Sequence, residues 1–563
     1  MRRTPNLPVS RLLLAAVMVL GVVPGGMAMA ASEVTATETP QVVRFHGGGY
    51  DRADSIAVDP AGNVYVGGSV DSASGGSTFA VVKLSPQGTV LWTGRYSGSR
   101  GGVGGSALAV TADGAGNVYA AGWTGDGVIF NNNIDYLVVK LGPDGVERWA
   151  QRYDGPARGF DQATEVAVDG TGSVYVSGFS YGQNQNQAFD WTTHKYSAAG
   201  ALLWERRHSG PGTNDDRVAD LMLAPDGNLV VTGFTKNAGD GLTNDLETLT
   251  YDPAGNVVWQ ARWTDTAGSH ETPADLDLDA AGRITVTGTT AESASPYAVP
   301  TPITLRYDRS GNLLQTIRAG GASVDADTSG GFVLAGFFLE PPGVSSVSRY
   351  DATGARVWST PLTVNAEDAL SALSVRADST GAVTLAGTAR NVFVHNDDYL
   401  TVRYAPDGRE LWRHRFNGPV GGDDRVAGLV VDGADTAVVT GTSWNDYLSS
   451  KGTADDIVTL QFPAAAAPAL VAPSNLAATG VSVSQIRLTW QDNAGTEDGF
   501  RIERCQGIGC TGFAQVATVG HDVTAYIDGG LARNTQYSYR VRAFDADEVS
   551  TYSNTATGKT RRR

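Results

Sequence analysis

The stretch VDPAGNVYVGG, residues 58–68, decides how the chain is read. Asp59, Gly62 and Asn63 make a turn of the form Asp-x-x-Gly-Asn, and the β-branched residues behind it open a strand. The turn recurs with its glycine at Gly116, Gly172, Gly227 and Gly282, more loosely at Gly330 and Gly381, and with Asp435 in the glycine slot. Six residues beyond each of these positions stands a second glycine: Gly68, Gly122, Gly178, Gly233, Gly288, Gly336, Gly387 and Gly441. A fixed period of roughly 55 residues, built of strand patterns, marks an array of units that bury their faces only against one another.

One unit reads TVLWTGRYSG (89–98), SALAVTADGAGNVYAAGW (106–123), an irregular loop, and IDYLVVKLGPDG (134–145). Its strands alternate or run apolar and its hairpins close on glycine, which accepts a positive φ. Four antiparallel strands per unit correspond to one blade of a β-propeller. Eight blades are expected. The count falls to seven if the short unit around Ala322 to Tyr350, preceded by Gln315 where other units carry Trp, does not form a blade. Gln41–Phe45 matches the outer strand that elsewhere reads Trp-x-x-Arg-Tyr, and the last unit stops after its third strand at Phe462. The N-terminal strand is therefore expected to complete the last blade and cover its edge.

The consensus Asp-x-x-Gly-Asn-Val-Tyr-Val-x-Gly, followed by Asp-x-x-Val-Lys-Leu, is matched by Asp59 to Gly68 and Asp135 to Leu141. It resembles the SBBP repeat, a bacterial propeller family, over residues 40–462. That resemblance implies a scaffold and leaves the activity open. After Phe462 a Pro/Ala linker (463–472) leads to strands of another kind, among them Ile486 to Trp490, Gly499 to Arg504 and Tyr537 to Ala543. With Trp490 as a core residue and Leu531, Thr535 and Tyr537 as a Leu-x-x-x-Thr-x-Tyr corner, residues 473–560 resemble a fibronectin type III domain, an immunoglobulin-like β-sandwich. The resemblance implies that the Tyr537 hydroxyl bonds to backbone upstream. The family's Arg-Gly-Asp loop is absent. The expected fold is thus all-β, a propeller followed by a sandwich.

Residues 1–30 carry the parts of a secretory signal: Arg2, Arg3 and Arg11, an apolar run from Leu12 to Val23, and Ala28-Met29-Ala30 at the cleavage positions. Export is expected, with a short extension at 31–39, no lipoprotein cysteine, no integral membrane segment after cleavage, and release from the cell or attachment to its surface. The net charge of −17 argues against nucleic acid, whose phosphates need a basic stripe. The only cysteines, Cys505 and Cys510, are expected to close one small disulfide loop in an exported chain.

Trp92, Trp149, Trp204, Trp259, Trp358 and Trp412 each stand four residues after a turn glycine, and the slot three residues later holds Arg95, Arg152, Arg207, Arg262 and Arg415, with Arg44 and Arg318 at the same slot in units that lack the Trp. Their odd spacing puts them on opposite faces of a strand. Trp is expected to pack on one neighbouring blade while Arg reaches toward the other, to Asp51, Asp161, Asp216 or Asp424. The long connections DGVIFNNNI (126–134), YGQNQNQAF (181–189), KNAGDGLTN (236–244), ESASPYAVP (292–300) and NDYLSSKGTAD (445–455) share one face and no common sequence. Variable loops on a repeated frame are where recognition is expected, with Trp123, Phe130, Tyr181, Trp444 and Tyr447 as candidate contacts for a protein or carbohydrate. Asp135, Asp190, Asp245, Asp398 and Asp456 recur at the entry of the third strand, either as acceptors for backbone N–H groups or as calcium ligands. Asp275, Asp277 and Asp279 share a strand face, for a cation or for solvent.

Eight-bladed propellers with Gly-x-x-x-Trp strands are similar to quinoprotein dehydrogenases, but the cysteine pair of those enzymes is missing here. The seven histidines show no metal-ligand spacing, and glycoside cleavage by carboxylates from separate blades stays open. No catalytic residue and no cofactor is assigned. The expected function is that of an exported, non-catalytic binding or scaffold protein, with a propeller-based enzyme or a structural envelope or matrix component as alternatives.

Overall fold

The computed structural model describes residues 39–71, 76–96, 104–125, 134–182, 188–212, 215–238, 243–295, 298–327, 329–338, 344–362, 368–391, 396–419, 421–444, 455–463, 471–493, 497–544 and 549–563. Their regular structure is entirely β, and among them no helix is long and apolar enough to cross a membrane. The contacts divide the chain into two units, Met1–Ala464 and Ala465–Arg563. Among its described residues, unit one contains eight four-stranded antiparallel sheets. After β1 (Gln41–Phe45) the first sheet runs in order through β2 (Arg52–Val58), β3 (Val64–Asp71), β4 (Ser77–Leu84) and β5 (Val90–Tyr96). Sheets two to seven repeat this meander, the short unit around Ala322 to Tyr350 included. The eighth takes three strands from the end of the repeats, Asp424–Val431, Ala437–Trp444 and Asp455–Phe462, and its outer edge is β1, with Val43 opposite Thr459.

The two glycines of the repeat have separate causes. In the turn after β2, Asp59 Oδ1 accepts the N–H groups of Ala61 and Asn63, both at 2.9 Å, while Oδ2 accepts Asn63 Nδ2 and the Tyr65 hydroxyl at 2.8 Å. One carboxylate thus satisfies the turn and ties it to the next strand, provided that position 62 turns left-handed, and Gly62 has φ 77°. Asp435, in the glycine slot of the eighth sheet, keeps the same sense at φ 60°, a conformation Asp tolerates better than most residues. The second glycine answers a bulge in the inner strand. Between Ala53 and Ser55 the register slips by one residue, and a Cβ on Gly68 would sit on the Arg52 carbonyl oxygen. Gly122, Gly178, Gly233, Gly288, Gly336 and Gly441 face the matching carbonyl in their own sheets, and Gly387 faces Leu373.

Neighbouring sheets are joined through their outer strands. Trp92 donates its indole N–H to the Pro143 carbonyl at 2.9 Å, with its ring against Gly145 in the outer hairpin of the next sheet. Trp149, Trp204, Trp259 and Trp358 repeat the contact on Ala198, Pro253, Arg309 and Pro406, and Gln315 makes it on Gly354 with its amide. Trp412 instead stacks on Phe462 of the eighth sheet. In β1 this slot holds Gln41, which donates to Gln87 O at 2.6 Å in the outer hairpin of the first sheet. The eighth sheet therefore meets the first as the others meet their successors. Val43, Val438 and Ile457 share one buried cluster with Val64, Val66 and Leu84, and Asp51 N–H donates to Asp455 O.

Inner strands are joined by carboxylates. Asp220 accepts the N–H of Leu276 in the fifth sheet, Asp275 accepts Ser323 Oγ and the N–H of Val324 in the sixth, Asp277 accepts Ala326 N–H, and Asp325 accepts Ala377 N–H in the seventh. Asp279, third of the alternating acids, is buried in its own turn and bound by Arg283. Asp275 and Asp277 therefore act as ties between sheets.

Unit two is a sandwich of a three-stranded sheet (Ser474–Gly480, Ile486–Gln491, Ala525–Asp528) and a four-stranded sheet (Ala514–Gly520, Gly499–Gln506, Gln536–Phe544, Ala556–Lys559). Trp490 packs in its core beside Phe500, and the Tyr537 hydroxyl accepts Ala532 N–H at 3.1 Å, as the corner motif implied. Cys505 and Cys510 are disulfide-bonded.

Two outcomes follow from this construction. Deleting residues 39–45 exposes the edge of Asp455–Phe462 and removes Val43 from its cluster, so it should lower the melting temperature of unit one far more than deleting 183–187; equal midpoints would contradict the pairing role of β1. Reducing Cys505–Cys510 opens a loop of five residues' separation. The expected loss is about 2 kcal/mol in unit two alone, with unit one unchanged in calorimetry.

Candidate functional site

The connections from each outer strand to the next inner strand lie beside the ends of the third strands, and acids gather there. Arg44 Nη1 lies 2.9 Å from Asp456, Arg207 Nη2 2.9 Å from Asp190, and Arg262 Nε 2.6 Å from Asp245; Arg152 pairs with Asp135 and Arg415 with Asp398 in the same way. Each arginine faces the residue two positions beyond its acid, as Arg207 faces Thr192, so the partners are diagonal neighbours on one face of one sheet. The expected reach of arginine to Asp51, Asp161, Asp216 or Asp424 is therefore corrected: these five arginines serve the third-strand acids, and Arg318 pairs with Asp265 in the connection before its inner strand.

The inner-strand acids do the backbone work instead. Asp161 accepts Gly155 N–H at 2.6 Å and Tyr181 N–H at 3.2 Å, and Asp216 accepts Gly210 and Lys236 N–H, each at 2.7 Å. Asp51 binds Gly47 and Asp71, and Asp424 binds Gly418. All four are buried. They hold the connection before the inner strand to the end of the second strand. Burial pushes the Asp216 carboxyl up to about 6, and the charge of Asp190 adds to it; Asp424 is likewise pushed up to about 6 by burial, with Asp398 adding.

Of the candidate aromatic contacts, Phe130 and Tyr447 lie outside the described residues. Trp123, Tyr181 and Trp444 stand in the last residues of the second strands of sheets two, three and eight and are half-buried. Each lies over a glycine of the connection leading into its own inner strand, respectively Gly104, Gly159 and Gly422. These rings shape the face and are not brought together by the structure. What does converge is a group of Tyr181 with phenylalanines that the sequence does not single out. Phe160 stacks on Phe179 with centroids 6.0 Å apart and meets Phe189 edge-on at 5.7 Å, and Tyr181 meets Phe189 at 4.9 Å. Arg217 of the fourth sheet lies over Phe179 and Phe189 at 4.8 and 5.2 Å. Phe160, Tyr181 and Phe189 remain partly open, with Asp190 and Arg207 alongside. The only prior signal was three aromatics within residues 179–189. On the same side of the fourth sheet a shallow depression of about 320 Å³ is lined by Asn237, Thr243, Asp245, Thr264 and Gly268.

Residues 471–559 match the fibronectin type III domain model. Among solved structures, a Fn3-like protein from Clostridium thermocellum is similar at 27% identity, covering 16% of this chain and 94% of that one, with a TM-score of 0.15. Titin kinase with its flanking domains is similar at 22% identity, covering 16% of this chain and 17% of that one, also at 0.15. No curated protein matches the chain.

The raised carboxyls set a pH dependence. An unfolded Asp releases its proton near pH 4, whereas Asp216 and Asp424 hold theirs to about 6. Their contribution is complete below pH 4 and is lost as pH rises through 6, at most on the order of 3 kcal/mol per group. Denaturant unfolding from pH 4 to 7 should show this loss, and it should flatten in Asp216→Asn with Asp424→Asn. A double variant with the wild-type slope would contradict the assignment.

Proposed function

We propose that the chain is an exported binding or scaffold protein in which the eight sheets are blades of an SBBP-like β-propeller and the irregular connection face recognises a protein or carbohydrate. The observation that carries this reading is the partly open group of Phe160, Tyr181 and Phe189 under Arg217, of which Tyr181 and Phe189 bound a connection that shares no repeat sequence. Aromatic faces beside Asp190 and Arg207 offer stacking and hydrogen bonds together, a combination suited to sugar rings or to a polar-rimmed protein patch. Export is supported by the signal-like pattern of residues 1–30 and by a disulfide of the kind oxidising compartments preserve. The fibronectin-like module fits a spacer or attachment unit.

The repeated acids support a frame role over catalysis. Third-strand acids paired with arginine occur at five stations, while a reaction centre is built once.

The test is to screen the full chain on glycan and protein arrays and then titrate the best ligand against Phe160→Ala and Trp204→Ala. Phe160→Ala should weaken binding about tenfold or more with a small change in melting temperature. Trp204→Ala should cost about 3–5 kcal/mol of stability and leave the affinity of the folded fraction unchanged. Unaltered binding in Phe160→Ala would move the site away from this face.

A further inference from the structure

The five arginine–acid stations carry a second periodicity. Two positions after the arginine stand His46 after Arg44, Asp154 after Arg152, Ser209 after Arg207, Thr264 after Arg262 and Asn417 after Arg415, and at the first two stations this residue groups with the third-strand acid and the next inner-strand acid. At the first of these, His46 Nδ1 donates to Asp456 Oδ1 at 2.7 Å, so the fully buried Asp456 has Arg44 on one oxygen and His46 on the other. At the second station the equivalent residue is a carboxylate, which cannot donate when ionised. Asp135 is fully buried, Arg152 holds its Oδ2, and its Oδ1 has no hydrogen-bond partner among the described residues. Ligand oxygens of Asp135, Asp154 and Asp161 lie within 4.8 Å of one another.

A buried carboxylate oxygen with no donor is costly, and two further acids beside it raise the cost. We infer that Asp135, Asp154 and Asp161 hold a divalent cation of the calcium type, taking the place that the His46 N–H fills at the equivalent station. Three carboxylates and one arginine leave a formal charge of −2 for the ion to balance. Oxygen ligands at 2.3–2.6 Å from a central ion place their atoms at mutual separations of this order. Asp161 keeps lone pairs beyond those used by Gly155 and Tyr181, and exposed Asp154 leaves the outer side for waters. Such an ion would brace the connection from Asp154 to Asp161, which carries Phe160, yet the inference stands whether or not that face binds a ligand.

The experiment is calorimetric titration of the full chain, stripped with chelator, with CaCl2, beside Asp154→Asn and Asp154→His. The wild type should bind calcium with a Kd on the order of 0.1–1 mM, the range of exposed extracellular sites. Asp154→Asn should weaken this at least about tenfold, and Asp154→His, which rebuilds the His46 arrangement, should lose one ion from the stoichiometry without a lower melting temperature. Absence of calcium binding by the wild type, or unchanged stoichiometry and affinity in Asp154→His, would overturn the assignment.

Discussion

A four-stranded sheet that is apolar on both faces cannot stand in water alone, and everything else in unit one follows from how each sheet is covered by the next. Buried clusters cross from sheet to sheet, as with Tyr175, Trp191 and Trp204 against Val218, Leu221 and Leu229. On the outside a tryptophan lies on the glycine turn of its neighbour; on the inside carboxylates reach neighbouring backbone N–H groups. The arrangement leaves a problem at the two ends of the run, where one face and one strand edge would lie open. β1 answers both: it pairs with Asp455–Phe462, its Val43 enters the cluster shared with the first sheet, and Gln41 reaches the first sheet's outer turn.

This construction consumes much of the acidity that the composition displays. Asp59 and its equivalents close turns, Asp220, Asp275 and Asp277 tie inner strands, Asp161 and Asp216 hold connections, and third-strand acids carry arginines. Arg376 lies near Asp325, Asp275, Asp277 and Asp220 together, and its pKa is raised by their charge against the effect of burial. A negative chain is therefore not a sign of a cationic partner by itself. Its acids must first be followed to their hydrogen bonds, and Asp135 combines an oxygen that has no hydrogen-bond partner among the described residues with two further acids beside it.

The repeat was legible because two of its residues answer steric demands that few side chains meet. A left-handed turn marks Gly62, and a close carbonyl marks Gly68, so both recur in sequence. The role of β1 was legible because an outer strand missing at one end of the repeats matched a surplus one at the other. The partners of the arginines were not, because diagonal neighbours depend on register, and a shift of one residue exchanges the faces. The reach of Asp275 to the sixth sheet depends on inter-sheet spacing, for which a single strand carries no pattern. Phe160 and Phe189 join from two different connections, so their convergence could only be seen in space.

Native-state hydrogen exchange of the intact chain tests the central claim most directly. If β1 is a structural strand of the last sheet, the protected amides of Gln41–Phe45 should exchange as slowly as those of Asp455–Phe462 and open with the same free energy. Fast exchange of Gln41–Phe45 beside slow exchange of Asp455–Phe462 would show a frayed terminal segment. It would contradict the account of how the first and last sheets are joined.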